Sequence, residues 1–150
     1  MVQDWQRRIV RYCAEEVARQ RDTPEHVYHM FDAWCFALTR NTNLPDIQDI
    51  MVVGHLVKPS ENRVTTFRHG NVEVGNRFGA HPDTIHHRLN EVLNAVGEGR
   101  LNADEFYYEF ELIHPFYDGN GRSGKVLYNW VRGTLLDPQM PPNFFNCSNP

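Results

Sequence analysis

The run His114-Pro115-Phe116-Tyr117-Asp118-Gly119-Asn120-Gly121-Arg122-Ser123-Gly124-Lys125 sets an imidazole, a carboxylate, a glycine-rich turn and two cations within twelve residues. Histidine near its ordinary pKa can take a proton from a hydroxyl. Aspartate is a hard oxygen ligand of the kind magnesium uses beside phosphate oxygens. Gly119 and Gly121 let main-chain N–H groups come close to an anion, and Asn120 tolerates unusual backbone angles. Arg122 can grip phosphate oxygens through two parallel hydrogen bonds, and Lys125, three residues on, adds a point charge near the same face. Together these are the parts needed to move a phosphoryl or nucleotidyl group. Taken singly, each has a plainer reading: a histidine that ends a helix before proline, ordinary Asp-Gly and Asn-Gly turns, and a solvated basic face. Bland turns rarely combine all of them in twelve residues.

Gly119 to Lys125 also fits Gly-x-x-x-x-Gly-Lys, the phosphate loop of many nucleotide hydrolases. That loop needs a preceding strand and a Ser or Thr after the lysine. Here the preceding segment has a helical pattern and the next residue is Val126, so this match is read as accidental.

The elements that must position the loop are helical. Trp5, Ile9, Cys13 and Val17 recur every four residues and form one stripe. Thr23-Pro24 is the expected cap and first position of a second helix, with Val27, Phe31, Trp34 and Leu38 on one face. Pro45 opens a short third helix with Ile47, Ile50 and Met51 inward. Val64-Thr65-Thr66-Phe67 and Val72-Glu73-Val74, either side of His69-Gly70, are expected to pair as a hairpin. His81-Pro82 opens a fourth helix carrying Ile85, Leu89, Val92, Leu93 and Val96, stopped at Gly97. Asn102 and Glu105 form a capping box for a fifth, with Phe106, Phe110 and Ile113 inward. Pro115 ends that helix near His114, so the imidazole is expected to point out of the bundle. A sixth helix begins near Asn120, with Leu127, Trp130, Val131 and Thr134 on one face and its unpaired N–H groups toward the loop. Residues 138–150 are expected to be an irregular tail. The class is all-α with one small hairpin, in a single domain spanning residues 1–150.

At 150 residues the chain can bury a core without staples, and its formal net charge of −4 is spread in mixed sign. That pattern argues against nucleic acid as a partner. Cys13, Cys35 and Cys147 are odd in number and far apart, which suggests neither a zinc site nor a disulfide framework, and fits a cytoplasmic setting. Met1 to Gln20 carries Asp4, Arg7, Arg8, Arg11 and Glu15, so neither a leader nor a membrane span is expected. Release or delivery without a cleaved leader would leave no mark here. His81, His86 and His87 crowd one helix start, and exposed histidines are the favoured reading over a metal site.

His114 through Arg122 also resembles, without a gap, the signature of the Fic branch of the Fic/Doc family, His-Pro-Phe-x-(Asp/Glu)-Gly-Asn-Gly-Arg-x-x-Arg. A weaker likeness extends over about Arg63 to Thr134. The resemblance implies a helical bundle with a β-hairpin flap over the active-site loop. It implies transfer of AMP from ATP to a Ser, Thr or Tyr hydroxyl of a target protein. His114 would be the base and Asp118 the magnesium ligand. Gly119, Asn120 and Gly121 would line the anion hole, and Arg122 would grip the β-phosphate region. Phe116 would be the buried anchor, and Val72, Glu73 and Val74 of the flap would hold the target backbone as an added strand.

Two departures qualify what is carried over. The last motif arginine, which would contact the γ-phosphate, is Lys125 here, and lysine keeps the charge but loses the fork. A differently seated nucleotide would give phosphate transfer, as in the Doc branch, although that branch usually has lysine at the position of Gly121. Transfer of another nucleotide, or nucleotide binding with lost turnover, are the other readings. The inhibitory pattern (Ser/Thr)-x-x-x-Glu-(Gly/Asn) is not met at Glu98-Gly99 or Glu61-Asn62, since Asn94 and Val57 stand four residues earlier. A separate inhibitor (antitoxin) chain, or no such inhibition, is expected.

Overall fold

The computed structural model describes residues 2–144; Cys147 and the end of the tail lie outside them. Among the described residues are six α-helices: α1 (Asp4–Arg19), α2 (His26–Arg40), α3 (Ile47–Val57), α4 (Ile85–Gly97), α5 (Ala103–Ile113) and α6 (Asn120–Arg132). A two-stranded antiparallel ribbon, β1 (Glu73–Val74) and β2 (Arg77–Phe78), lies between α3 and α4. The all-α class with a small hairpin is therefore what the chain forms. No described helix is long and apolar enough to cross a membrane.

The expected stripes are buried in α1, α4 and α5, whereas α2 turns Met30, Ala33, Trp34 and Ala37 inward and leaves Val27, Phe31 and Leu38 of its expected face half-buried. Ile9, Cys13 and Val17 of α1 are enclosed, as are Ile85 and Leu89 of α4 and Phe106, Phe110 and Ile113 of α5. Asn102 and Glu105 close the capping box of α5 in both directions. Asp46 and Asp49 do the same for α3, one residue after Pro45. Helix α2 starts at His26, two residues later than Pro24, because Pro24 and Glu25 form a turn whose first bond runs from His26 N–H to the Thr23 carbonyl. His81-Pro82 opens one turn of 3-10 helix before α4, and the left-handed residue that follows α4 is Gly99 rather than Gly97.

Helix α6 is the axis of the bundle. It packs against α2, α3 and α5, and every residue from Asn120 to Trp130 is buried. Five of these are polar or charged: Asn120, Arg122, Ser123, Lys125 and Asn129. An amphipathic reading places such residues on a wet face; here each lies inside. Asn129 pins the following chain, accepting from Thr134 Oγ1 at 2.7 Å and Gln139 N–H at 2.7 Å.

The hairpin is displaced from its expected position. Residues 64–67 do not pair with 72–74; Glu73 faces Phe78 and Val74 faces Arg77 across a turn at Gly75-Asn76. Gly75 has φ +62°, and glycine at the first central position suits a two-residue hairpin turn. His69-Gly70 is unavailable as that turn because both of its N–H groups donate to the Tyr117 hydroxyl, at 2.9 and 3.0 Å. Arg68 N–H meanwhile donates to the Pro115 carbonyl at 3.2 Å, so this segment runs beside the 114–118 loop.

Gly54 on α3 is where the bundle accepts that loop. A Cβ there would lie 2.1 Å from Phe116 Cζ, so the ring packs directly on the helix backbone. Gly54→Ala should cost about 1–3 kcal/mol by overpacking, measured by denaturant unfolding; an unchanged midpoint would contradict the packing.

Candidate active site

The loop between α5 and α6 is built from its two ends. His114 ends α5 in a left-handed conformation, φ +51°, with its N–H donating to the Phe110 carbonyl at 2.9 Å. Pro115 cannot extend the helix. Phe116 turns inward, 1 % exposed, against the rings of Phe67 and Phe110. Asn120 then clamps the loop: its Oδ1 accepts the Phe116 N–H at 2.9 Å and its Nδ2 donates to the Phe116 carbonyl at 2.8 Å. Gly119 has φ +75°, and a Cβ there would approach Val57 Cγ1 to 2.9 Å. Helix α6 starts at once, and its first ladder bond runs from Ser123 N–H to the Gly119 carbonyl. The N–H groups of Asn120, Gly121 and Arg122 therefore precede the ladder and have no acceptor within the helix.

The imidazole of His114 is enclosed, not turned out of the bundle as expected: the residue is 6 % exposed and its Nδ1 has no hydrogen-bond partner among the described residues. Burial, then the charges of Arg77 and Arg68, lower its pKa to about 4, against the opposing pull of the Glu111 main chain and Asp118. The ring is held neutral. The hairpin reaches it through Gly79, where a Cβ would sit 3.1 Å from His114 Cβ. Ala80 N–H donates to the Ile113 carbonyl at 3.0 Å, and Arg77 Nη2 donates to the Glu111 carbonyl at 3.1 Å.

The acid and cations after the turn gather at the other end of the loop. Asp118 is part-exposed; its Oδ1 accepts the Gly119 N–H at 2.7 Å and its Oδ2 lies 3.5 Å from Lys58 Nζ. Arg122, 3 % exposed, brings Nη1 within 2.9 Å of Asp22 Oδ2 and Nη2 within 3.9 Å of Asp118 Oδ1. Burial alone would raise the Asp22 carboxyl; the Thr23 N–H, His26, Arg122 and Lys58 outweigh it and bring it down to about 2. Lys125 stands apart. Its Nζ is 2.9 Å from Glu16 Oε2 on α1 and 3.4 Å from the Tyr107 hydroxyl, inside the bundle. Glu16 is fully buried and is also held by Arg19 and Gln20. Breaking such a buried pair costs about 3–5 kcal/mol, so Lys125 already serves the fold.

His114, Asp118, Gly119, Asn120, Gly121 and Arg122 are thus brought to one loop and helix end. Lys125 points into the bundle, and Val72, Glu73 and Val74 lie on the hairpin that covers the His114 side. Val72 is not in a strand, but its carbonyl accepts the Gly79 N–H at 3.0 Å. Arg68, Lys58 and Asp22 are not expected at this site from the sequence, and Asn62 is weighed only as part of Glu61-Asn62. Asn62 ties α3 to the loop, donating to the Gly54 and Asp118 carbonyls at 2.9 and 2.8 Å. Arg68 donates to the His114, Ala80 and Gly70 carbonyls at 2.8, 2.6 and 2.8 Å. Isolated polar residues in irregular segments give no periodic signal, so only their partners reveal them. The crowded histidines have local roles: His81 caps the 3-10 turn, and His87 lies 2.5 Å from Glu91 on its own helix.

The family model of the Fic/DOC family matches residues 2–131, and the chain belongs to that family. The match takes in α1 to α3 as well as the motif region. Protein adenylyltransferase fic-1 of Caenorhabditis elegans is 26 % identical over 120 residues, covering 72 % of this chain and 22 % of that protein. The chain thus spans under a quarter of that relative's length. A Fic family protein from Desulfovibrio desulfuricans shares the fold, with a TM-score of 0.50 at 17 % identity, over 91 % of this chain and 61 % of that one.

The buried imidazole gives a direct check. The His114 ring signal followed by NMR should titrate near pH 4 rather than at the ordinary 6.5. Between these values the unfolded chain binds the extra proton, so His114 stabilises the fold fully above 6.5 and loses that contribution as pH falls toward 4. A midpoint at or above 6.5 would contradict the enclosed, neutral ring.

Proposed function

We propose that the protein is a Fic-type protein adenylyltransferase, transferring AMP from ATP to a Ser, Thr or Tyr hydroxyl of a target protein. The observation that carries this reading is the neutral His114 ring set at one end of a clamped loop, with the N–H groups that open α6 at the other. Family membership and the name of the Caenorhabditis elegans relative support the same class.

In this reading the target oxygen attacks the α-phosphorus. The new O–P bond forms as the bond to the β-phosphate oxygen breaks, and the hydroxyl proton passes to His114. A ring with a depressed pKa is a ready but weak acceptor; the negative phosphates of a bound nucleotide raise its basicity where the proton is transferred. The departing pyrophosphate stays on Arg122 and the amides of Asn120, Gly121 and Arg122, a charge-assisted set at a helix N-terminus. Asp118 fits a magnesium ion that arrives with the nucleotide: it is one part-exposed carboxylate beside the phosphate-binding amides, and magnesium uses one or two carboxylates with phosphate oxygens. Such an ion would neutralise charge on the phosphates. The target backbone would add along β1 beside Val72, Glu73 and Val74, which would bring its hydroxyl toward His114.

The alternative is phosphate transfer, or transfer of another nucleotide, and one observation favours keeping it. Lys125, where the motif has its last arginine, is paired with Glu16, so its grip on a γ-phosphate requires that pair to open. The mass added to a modified target distinguishes an adenylyl from a phosphoryl group.

Incubation of the protein with labelled ATP, magnesium and a cell lysate should label one or a few proteins. His114→Ala should lower that labelling by about a hundredfold or more while its circular dichroism remains that of the folded helical bundle. Equal labelling by His114→Ala would rule out the assigned base.

A further inference from the structure

We propose that Lys58, at the end of α3, is a second phosphate-binding cation of this site, and that Asp22 is the carboxylate which occupies it and Arg122 until a polyphosphate arrives. The proposal rests on the nucleotide reading above and names a residue that lies outside the motif.

Lys58 is placed by three local constraints. Helix α3 ends at Val57, and Pro59 prevents its continuation. Asn62 holds the next turn, since its N–H donates to the Lys58 carbonyl at 3.1 Å and its side chain to the Asp118 carbonyl at 2.8 Å. The Lys58 stem passes the opening of α6, where a Cβ on Gly119 would lie 3.4 Å from Lys58 Cβ and 3.7 Å from Arg122 Nη2. The ammonium and the guanidinium thus flank the helix end whose N–H groups face the loop.

Both cations meet the same oxygen. Asp22 Oδ2 is 3.3 Å from Lys58 Nζ and 2.9 Å from Arg122 Nη1, while Asp22 Oδ1 is 2.6 Å from His26 Nδ1. One anionic oxygen between a lysine and an arginine at a helix N-terminus is the arrangement a phosphate oxygen would adopt. Asp22 fills it imperfectly. At 2.9 Å from its oxygen, the buried Arg122 Nη1 still lacks hydrogen-bond geometry. Asp22 comes from the short α1–α2 connection, where its Oδ1 also accepts the Thr23 N–H at 2.8 Å, so Oδ2 is the oxygen left to the two cations. Charge balance points the same way. Lys58 and Arg122 against Asp22 and Asp118 sum to zero; displacing Asp22 frees one positive charge for the entering anion. Lys125 does not offer that charge while it is paired with Glu16.

The experiment is calorimetric titration of the whole chain with magnesium and ATP, and separately with AMP, which lacks the outer phosphates. Lys58→Gln should weaken ATP about tenfold and AMP much less, and Lys58→Arg should retain ATP affinity. Asp22→Asn should bind ATP about threefold or more tighter than wild type, because the competing carboxylate is gone. Retention of the wild-type unfolding temperature by Lys58→Arg shows that position 58 tolerates change; a Lys58→Gln loss that is equal for ATP and AMP would be structural and overturns the proposal. If Lys58→Gln binds ATP like wild type while Arg122→Gln loses it, Lys58 is not part of the site and the nucleotide reading stands. Weaker ATP binding by Asp22→Asn overturns the role of Asp22. No ATP binding by wild type overturns the nucleotide reading and this proposal with it.

Discussion

A single buried guanidinium ties the loop after α5 to the segments that flank the hairpin. Arg68 is 3 % exposed, and the acceptors of its side chain are main-chain carbonyls of Gly70, Ala80, Ile113 and His114. These carbonyls belong to the segment before the hairpin, the segment after it and the end of α5. A helix that stops in a left-handed residue leaves carbonyls without partners; Arg68 supplies donors at that point. Burial lowers its pKa, the sign of a cation taken out of water. That cost is offset only because its planar donors meet several oxygens at once. Burial first, then Arg77 and this guanidinium, keep the neighbouring His114 ring neutral.

Charge inside this bundle is arranged along α6 in two tiers. At the open end, Arg122 faces Asp22, Lys58 and Asp118 in a partly wet cluster that can exchange partners. One helical turn deeper, Lys125 faces Glu16 among Tyr107 and the α1 side chains, where exchange would leave a bare charge. The substitution of lysine for the motif's last arginine belongs to the second tier. A compact ammonium fits one buried carboxylate and one hydroxyl, where a guanidinium fork would need more acceptors. The first tier is therefore the one open to exchange, with Lys58 and Arg122 on one Asp22 oxygen, while Lys125 stays paired with Glu16.

The sequence disclosed the features that repeat or punctuate. Helical stripes such as Ile85-Leu89-Val92, the Asn102/Glu105 box and the stop at His114-Pro115 each have a local cause and formed where expected. The motif run also identified which loop would gather donors at the mouth of α6. What failed was non-local. His69-Gly70 and Gly75-Asn76 are both reasonable turns by composition; the Tyr117 hydroxyl, almost fifty residues away in the chain, decides between them. The enclosed state of the His114 ring follows from the hairpin's approach through Gly79, which no spacing rule encodes. Arg68, Asn62, Asp22 and Glu16 are ordinary polar residues by pattern, and each matters through a partner in another element. The full burial of α6 escaped detection because its inward polar residues imitate a solvent face.

The loop from His114 to Arg122 is set in the free protein, by Arg68 from one side and Asn120 from the other. Residue-resolved hydrogen exchange on the protein without nucleotide reads this out. The N–H groups of His114 and Phe116 should exchange as slowly as those in the middle of α5, and Arg68→Met should speed both together. Exchange of these two amides at the rate of an open loop in the unaltered chain, or no change in the variant, would contradict it.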